Sequence, residues 1–194
     1  MEWSLLFVVN SIFLGVGLAM DAFSVSIVNG MNEAAMQKHD VLKIAGIFGF
    51  FQALMPLLGW TFTHTLVQFF MIFEKLVPWI ALLLLLVIGG KMIADSRQPA
   101  KLAYDSTVLT WSVLIMQGIA TSIDALSVGF AIANYGFLMA LLCALIIASV
   151  TFVICASGVL VGNRIGMKLS GKPSFFGGIV LIAIGIEIFV TGIF

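Results

Sequence analysis

Long apolar stretches broken by short polar runs dominate the chain. A helix needs about 20 apolar residues to cross a bilayer. Six windows meet that length: 5–28, 41–62, 76–94, 108–133, 137–161 and 175–194. The breaks between them are too short for an extramembrane domain. The most hydrophilic break, Asp95-Ser96-Arg97-Gln98-Pro99-Ala100-Lys101, falls halfway along the chain. The pattern therefore predicts an all-α, polytopic membrane protein of six transmembrane helices. A three-helix unit over 1–94 joins a second over 106–194 through a cytoplasmic linker, 95–105.

Self-similarity at a fixed offset sharpens this division. Met20-Asp21-Ala22-Phe23-Ser24-Val25 in the first window matches Ile123-Asp124-Ala125-Leu126-Ser127-Val128 in the fourth. A weaker echo joins Val87-Ile88-Gly89-Gly90-Lys91-Met92-Ile93 to Ala183-Ile184-Gly185-Ile186-Glu187-Ile188-Phe189. Three crossings per unit force the second to start from the opposite face, so the repeats are expected to be inverted. In that architecture the binding site lies near the midplane, where equivalent helices meet.

Composition agrees with lipid as the main solvent. The chain is 62% hydrophobic and 9% charged, against about 25% charged in a soluble domain. Net charge is zero, which disfavours nucleic acid as a partner. Lys38, Lys43, Lys91, Arg97, Lys101, Arg164, Lys168 and Lys172 fall in or beside the breaks after windows one, three and five. Only Lys75 falls on the other side. The positive-inside rule then puts those breaks in the cytoplasm and both termini outside. Trp3, Trp60, Trp79 and Trp111 lie near window ends, as interfacial tryptophans do. Met1-Glu2-Trp3-Ser4 lacks the basic region of a signal peptide, so the first window is expected to stay as a span. Cys143 and Cys155 are too far apart for a CxxC motif and read as packing residues.

The two aspartates of the repeat need a reason. Each costs about 2.5–3.5 kcal/mol at a helix centre on insertion scales. A twenty-residue apolar span can carry one such cost, but gains nothing from it. Small polar groups share their faces: Gln117, Thr121 and Ser127 around Asp124, and Asn10, Gly17 and Ser24 around Asp21. Bringing the two faces together would create two carboxylates, hydroxyls and amide oxygens in a space poor in water. Two close carboxylates cannot both stay ionised without a cation. A divalent cation would let both ionise, so metal and proton become competitors. That chemistry suits exchange.

Oxygen-only donors favour magnesium, calcium or manganese over zinc, copper or nickel. Met20 and Met116 lie near the aspartates and would soften the site toward manganese. His39, in a loop, and His64, at a window end, read as solvated or interfacial. Gln52 lies one turn before Pro56, whose ring frees the Gln52 carbonyl; amide or carbonyl could face the same cavity. Glu187, deep in the sixth window, is a third acidic candidate. The candidate metal-binding set is Asp21, Asp124, Ser24, Ser127, Gln52, Gln117, Thr121 and Glu187. No nucleophile–base pair, HExxH motif or cysteine dyad points to an enzyme.

Several motifs in order resemble the manganese efflux pump family (MntP). They are Gly17-Leu18-Ala19-Met20-Asp21-Ala22-Phe23-Ser24-Val25-Ser26, Phe48-Gly49-Phe50-Phe51-Gln52-Ala53-Leu54-Met55-Pro56-Leu57-Leu58-Gly59-Trp60 and Ile88-Gly89-Gly90-Lys91-Met92-Ile93. The second unit adds Ala120-Thr121-Ser122-Ile123-Asp124-Ala125-Leu126-Ser127-Val128-Gly129 and Gly177-Gly178-Ile179-Val180-Leu181-Ile182-Ala183-Ile184-Gly185. The resemblance covers almost the whole chain. It implies export of Mn2+ as a substrate, with no cofactor, across the bacterial cell membrane, and Asp21 and Asp124 as acidic residues of the pathway. Some family members carry glutamate where this chain has Gln52, which keeps an oxygen and removes a charge. The oligomeric state is left open. Two alternatives stand beside this reading. One is transport of another divalent cation or small solute, though amino acids would need a basic partner that no span centre supplies. The other is a non-transporting scaffold, since related sporulation membrane proteins share the aspartate motif.

Overall fold

A computed structural model describes residues 5–32, 36–65, 79–80, 82–83, 85–91, 93–94, 110–168 and 173–193. The linker at 95–105 lies outside these residues, as do Trp3, Lys75, Arg97, Lys101 and Lys172. All described secondary structure is helical. Helix α1 is Leu5–Asn32 and α2 is Lys38–Thr65. The helical residues 79–80, 82–83, 85–91 and 93–94 are called α3. The remaining elements are α4 (Trp111–Ser122), α5 (Ala125–Ala131), α6 (Phe137–Lys168) and α7 (Pro173–Ile193).

Among the described residues, α1, α2 and α6 are each long and apolar enough to cross a membrane. The α4–α5 pair passes the same test as one broken span bent by 41°. Windows one, two and five thus fall on membrane-length helices, and window four differs. The fourth window is two helices, and the break falls at Ile123 and Asp124. There the backbone changes to tighter bonds, from Leu126 N–H to the Ile123 carbonyl and from Ser127 N–H to the Asp124 carbonyl. His39 also differs from its expected loop position. It stands in the first turn of α2, 3.9 Å from Asp40.

Packing directions follow from where small residues let backbones approach. On α6, Gly158, Gly162 and Gly166 meet Phe23, Ile27 and Met31 of α1 in ascending order, so these helices run parallel. A Cβ at Gly162 would overlap the Ile27 carbonyl, and one at Gly30 would overlap the Val159 carbonyl. The α4–α5 pair likewise runs parallel to α2. Gly118 lies against Ile47 and Phe51, and Gly129 against Pro56, Gly59 and Trp60. Helices α3 and α7 run antiparallel, with Gly89 opposite Gly178 and Leu85 opposite Gly185.

The core follows these seams. One cluster includes Ala22, Val25 and Val28 of α1, Ile44 and Phe48 of α2, Leu114 of α4, Cys155 and Val159 of α6, and Leu181 of α7. Cys143 and Cys155 are both buried and free, in line with packing roles. The Ser11 hydroxyl lies 3.4 Å from the Cys143 sulfur, linking α1 to α6. Trp60 donates its indole N–H to the Tyr135 carbonyl at 2.9 Å, tying the end of α2 to the turn after α5. Trp60→Phe should lower unfolding stability by about 1 kcal/mol, the net worth of one such bond. Denaturant titration in bicelles checks this.

Candidate functional site

Asp124 stands where α4 ends and α5 begins. Its carboxylate accepts the Ala125 N–H at 2.9 Å, so it caps α5 across the break. A helix interior would satisfy that N–H through its own ladder. The break frees the donor, and the aspartate answers it. Irregular backbone at this depth is tolerated where it lines a cavity or is buried in protein. The Thr121 hydroxyl bonds back to the Gln117 carbonyl at 2.9 Å, and Ser122 bonds to the Gly118 carbonyl. Both hydroxyls satisfy themselves within α4 just ahead of the break.

Asp21 is half-buried on α1, and Asp124 reaches the accessible surface. The two carboxylates lie within electrostatic reach of each other. Asp21 is also within reach of Glu187 on α7. Asp21 is thus coupled electrostatically both to Asp124 on the broken helix and to Glu187 on α7. Among the described residues, no three His, Cys, Asp or Glu side chains converge on one point. Any ion held here must take further oxygens from amides, hydroxyls, backbone or water. Ser24 is half-buried and donates to the Met20 carbonyl at 3.1 Å, while Ser127 is exposed one turn beyond Asp124.

Gln52 is fully buried on α2. Its amide N–H donates to the Leu18 carbonyl of α1 at 2.6 Å, one turn before Asp21. Its side-chain oxygen has no hydrogen-bond partner among the described residues. A buried amide oxygen without a donor is costly, at about 1–3 kcal/mol, and such an oxygen could serve a cation. Gln52→Leu should cut transport about tenfold, or 1.4 kcal/mol, and Gln52→Glu should retain more activity. Initial rates in vesicles, normalised to folded protein, test this.

Gln117 is engaged elsewhere. It exchanges two hydrogen bonds with Asn29 of α1: Asn29 donates to Gln117 at 2.8 Å, and Gln117 donates back at 3.2 Å. Both residues are fully buried. Sequence reasoning missed Asn29. The available signal was an asparagine two turns beyond Asp21 in an otherwise apolar run. Thr151 of α6 was also missed, a buried hydroxyl without a hydrogen-bond partner among the described residues.

On the other side of the aspartates, an open cleft of about 590 Å³ runs between α1 and the α5 end. Asn10, Leu14 and Gly17 line one wall, and Val128, Ile132 and Tyr135 the other. A Cβ at Gly17 would meet nothing within 4 Å, so the wall is open one turn from Asp21.

A family described as "Putative manganese efflux pump" matches residues 35–189. The chain belongs to the MntP family. Relatives carrying that description with the suffix MntP span nearly their whole lengths. One from Clostridium botulinum (strain Langeland) is 40% identical over 194 residues, covering 94% of each chain. One from Rippkaea orientalis is 40% identical, covering 95% of this chain and 96% of its own. One from Clostridium perfringens is 37% identical, covering 96% of each. No solved structure matches. The family match takes in Gln52, Gln117 and Asp124. Asp21 precedes it but falls inside the relatives' coverage, which is too complete to omit it. Membership in a family of efflux pumps, together with long apolar helices, makes the chain a multi-pass membrane transporter and not an enzyme.

Proposed function

We propose that the chain exports Mn2+ from the cytoplasm, with Asp21 and Asp124 as the two carboxylates that share the ion. The single observation that carries the site is the electrostatic proximity of these aspartates, which come from corresponding motifs 103 residues apart. Ser24, Ser127, Gln52 and Thr121 are the neighbouring oxygen donors, and Glu187 is an acid on the route. Gln117 borders the site through Asn29. The manganese assignment draws on the relatives' names, and the all-oxygen donor set supports it chemically.

The ion's double charge would hold both carboxylates ionised. On the ion's release from the site, a proton would replace it on at least one of them. Exchange of Mn2+ for protons follows from that competition.

The architecture that serves this best is six spans in two inverted three-helix repeats, over 1–94 and 106–194, with cytoplasmic loops between windows one and two, three and four, and five and six. The packing directions support it. A two-fold axis in the membrane plane exchanges the parallel α1–α6 seam with the parallel seam of α2 and the broken helix. The same axis turns the antiparallel α3–α7 contact onto itself: Gly89 meets α7 at Gly178, and its counterpart Gly185 meets α3 at Leu82 and Leu85. Both termini then lie outside, with the cell membrane as the location.

The test is Mn2+ movement in inside-out vesicles holding the purified protein. Saturable accumulation inside, faster with a proton gradient directed outward from the lumen, is expected. Equal accumulation in empty vesicles would overturn the assignment.

A further inference from the structure

We propose that Asn29 and Gln117 form the inner gate of the ion path, shut in this structure while the outer side stands open. The proposal rests on the transport reading above for what passes through. The geometry of the gate is independent of which ion that is.

Helices α1 and α4–α5 run in opposite directions. Asn29, late in α1, faces Gln117, early in α4. Leu14 and Gly17, early in α1, share a cleft with Val128 and Ile132, late in the broken helix. The aspartates lie between these levels. Moving from Asn29 back to Asp21 spans eight residues, and from Gln117 forward to Asp124 seven. At 1.5 Å per residue both steps are about 11–12 Å. One layer of paired amides therefore lies on the side that the basic breaks assign to the cytoplasm, and one open cleft lies on the opposite side.

The repeat makes the two ends comparable. The 103-residue offset that carries Asp21 onto Asp124 also carries Asn29 onto Ile132 and Leu14 onto Gln117. The pair that closes the inner side thus corresponds to the pair lining the outer cleft. At the inner end both residues are fully buried and joined by two hydrogen bonds. At the outer end Leu14 packs against the apolar cluster that holds buried Ile132, and both border a cleft of about 590 Å³. One sequence pair is closed and its counterpart borders an opening, the asymmetry expected of alternating access around a fixed site.

Amides suit a gate. Two reciprocal bonds hold the helices together in a dry layer, yet neither side chain carries charge that would trap a cation. When the helices part, each amide can turn to water or to the passing ion. An apolar pair would lose only packing on opening and would offer the ion no oxygen.

The experiment uses the full chain with Cys143→Ala and Cys155→Ala. Single reporters are Ser24→Cys, on the inner side of Asp21, and Gly17→Cys, in the outer cleft. A membrane-impermeant maleimide is applied to right-side-out and inside-out vesicles. With the native pair, Gly17→Cys should label from outside, and Ser24→Cys should label slowly from the cytoplasmic face. Asn29→Ala with Gln117→Ala should speed cytoplasmic labelling of Ser24→Cys at least tenfold. The exchanged pair, Asn29→Gln with Gln117→Asn, should restore protection. Cytoplasmic labelling at the same rate with native and alanine pairs would overturn the gate. Slowing of Gly17→Cys labelling by Mn2+ reports the metal site separately. If that slowing is missing while the amide variants still open the inner face, the ion assignment falls and the gate stands.

Discussion

Asp124→Asn is expected to abolish Mn2+ export while leaving the protein folded. The asparagine side-chain oxygen can still accept the Ala125 N–H, so the cap across the helix break should survive. What disappears is one of the two charges proposed to share the ion. Removing one partner of a desolvated, hydrogen-bonded charge pair costs about 2–5 kcal/mol, which lowers affinity about 30-fold or more. The Asp21→Asn variant should behave alike, because Asp21 is the matching aspartate of the repeat and is coupled electrostatically to Asp124. Either variant should leave manganese-sensitive cells unprotected, with expression and melting temperature near those of the unaltered protein. Glu187→Gln should be milder, since Glu187 stands outside the repeated aspartate motif. Protection equal to that of the unaltered protein by either aspartate variant would remove the carboxylates from the pathway.

The second large effect concerns backbone approach. At Gly129 an added Cβ would overlap the Trp60 nitrogen, the Gly59 carbon and the Pro56 carbonyl oxygen, all backbone. No side chain can rotate away to make room, so α5 would have to leave α2. Gly129→Val should lower stability by about 1–3 kcal/mol or more, the range for overpacking a tight site. Because α5 is capped by Asp124, the same displacement should impair transport beyond the loss of folded protein. The contrast is Gly136→Ala, where a Cβ would meet nothing within 4 Å and little change is expected. Thermal unfolding and vesicle transport, compared across the two variants, check both halves. A stable, fully active Gly129→Val would show that the seam between α2 and α5 is looser than its backbone contacts imply.

Much of the fold was legible in the windows. Lipid demands that each span satisfy its own backbone bonds, so apolar length converts directly into helix. Windows 5–28, 41–62 and 137–161 lie within α1, α2 and α6, each of which continues past its window by a turn or more. The extensions are polar at Asn29, Asn32 and Lys38, where hydropathy ends before hydrogen bonding does. The break at Asp124 was not legible. Residues 111–131 contain no proline and read as one continuous span. The kink follows from the aspartate capping its own neighbour, a local choice that hydropathy does not weigh.

The candidate site divides in a similar way. The repeated motif singles out Asp21 and Asp124, because a charge in an apolar run is visible as a cost. Pairing is less visible. Gln117 shares a helical face with Asp124, which suggested a ligand, yet its amide is bonded to Asn29 across the helix interface. Spacing along one helix shows which residues share a face, but the residue on the facing helix depends on crossing angle and depth. The parallel glycine seam on α6 illustrates this. Gly158, Gly162 and Gly166 announce a close contact, and only the assembled fold identifies Phe23, Ile27 and Met31 as the other side.

The most direct measurement is Mn2+ binding to the purified protein, followed by the electron paramagnetic resonance of free Mn2+. One ion per chain is predicted, with affinity falling at least about 30-fold in Asp21→Asn and in Asp124→Asn alike. The double variant should lose little beyond either single one, because removing one carboxylate already dismantles a shared site. Undiminished affinity in either single variant, or losses that simply add in the double, would mean that the two aspartates do not hold one ion between them.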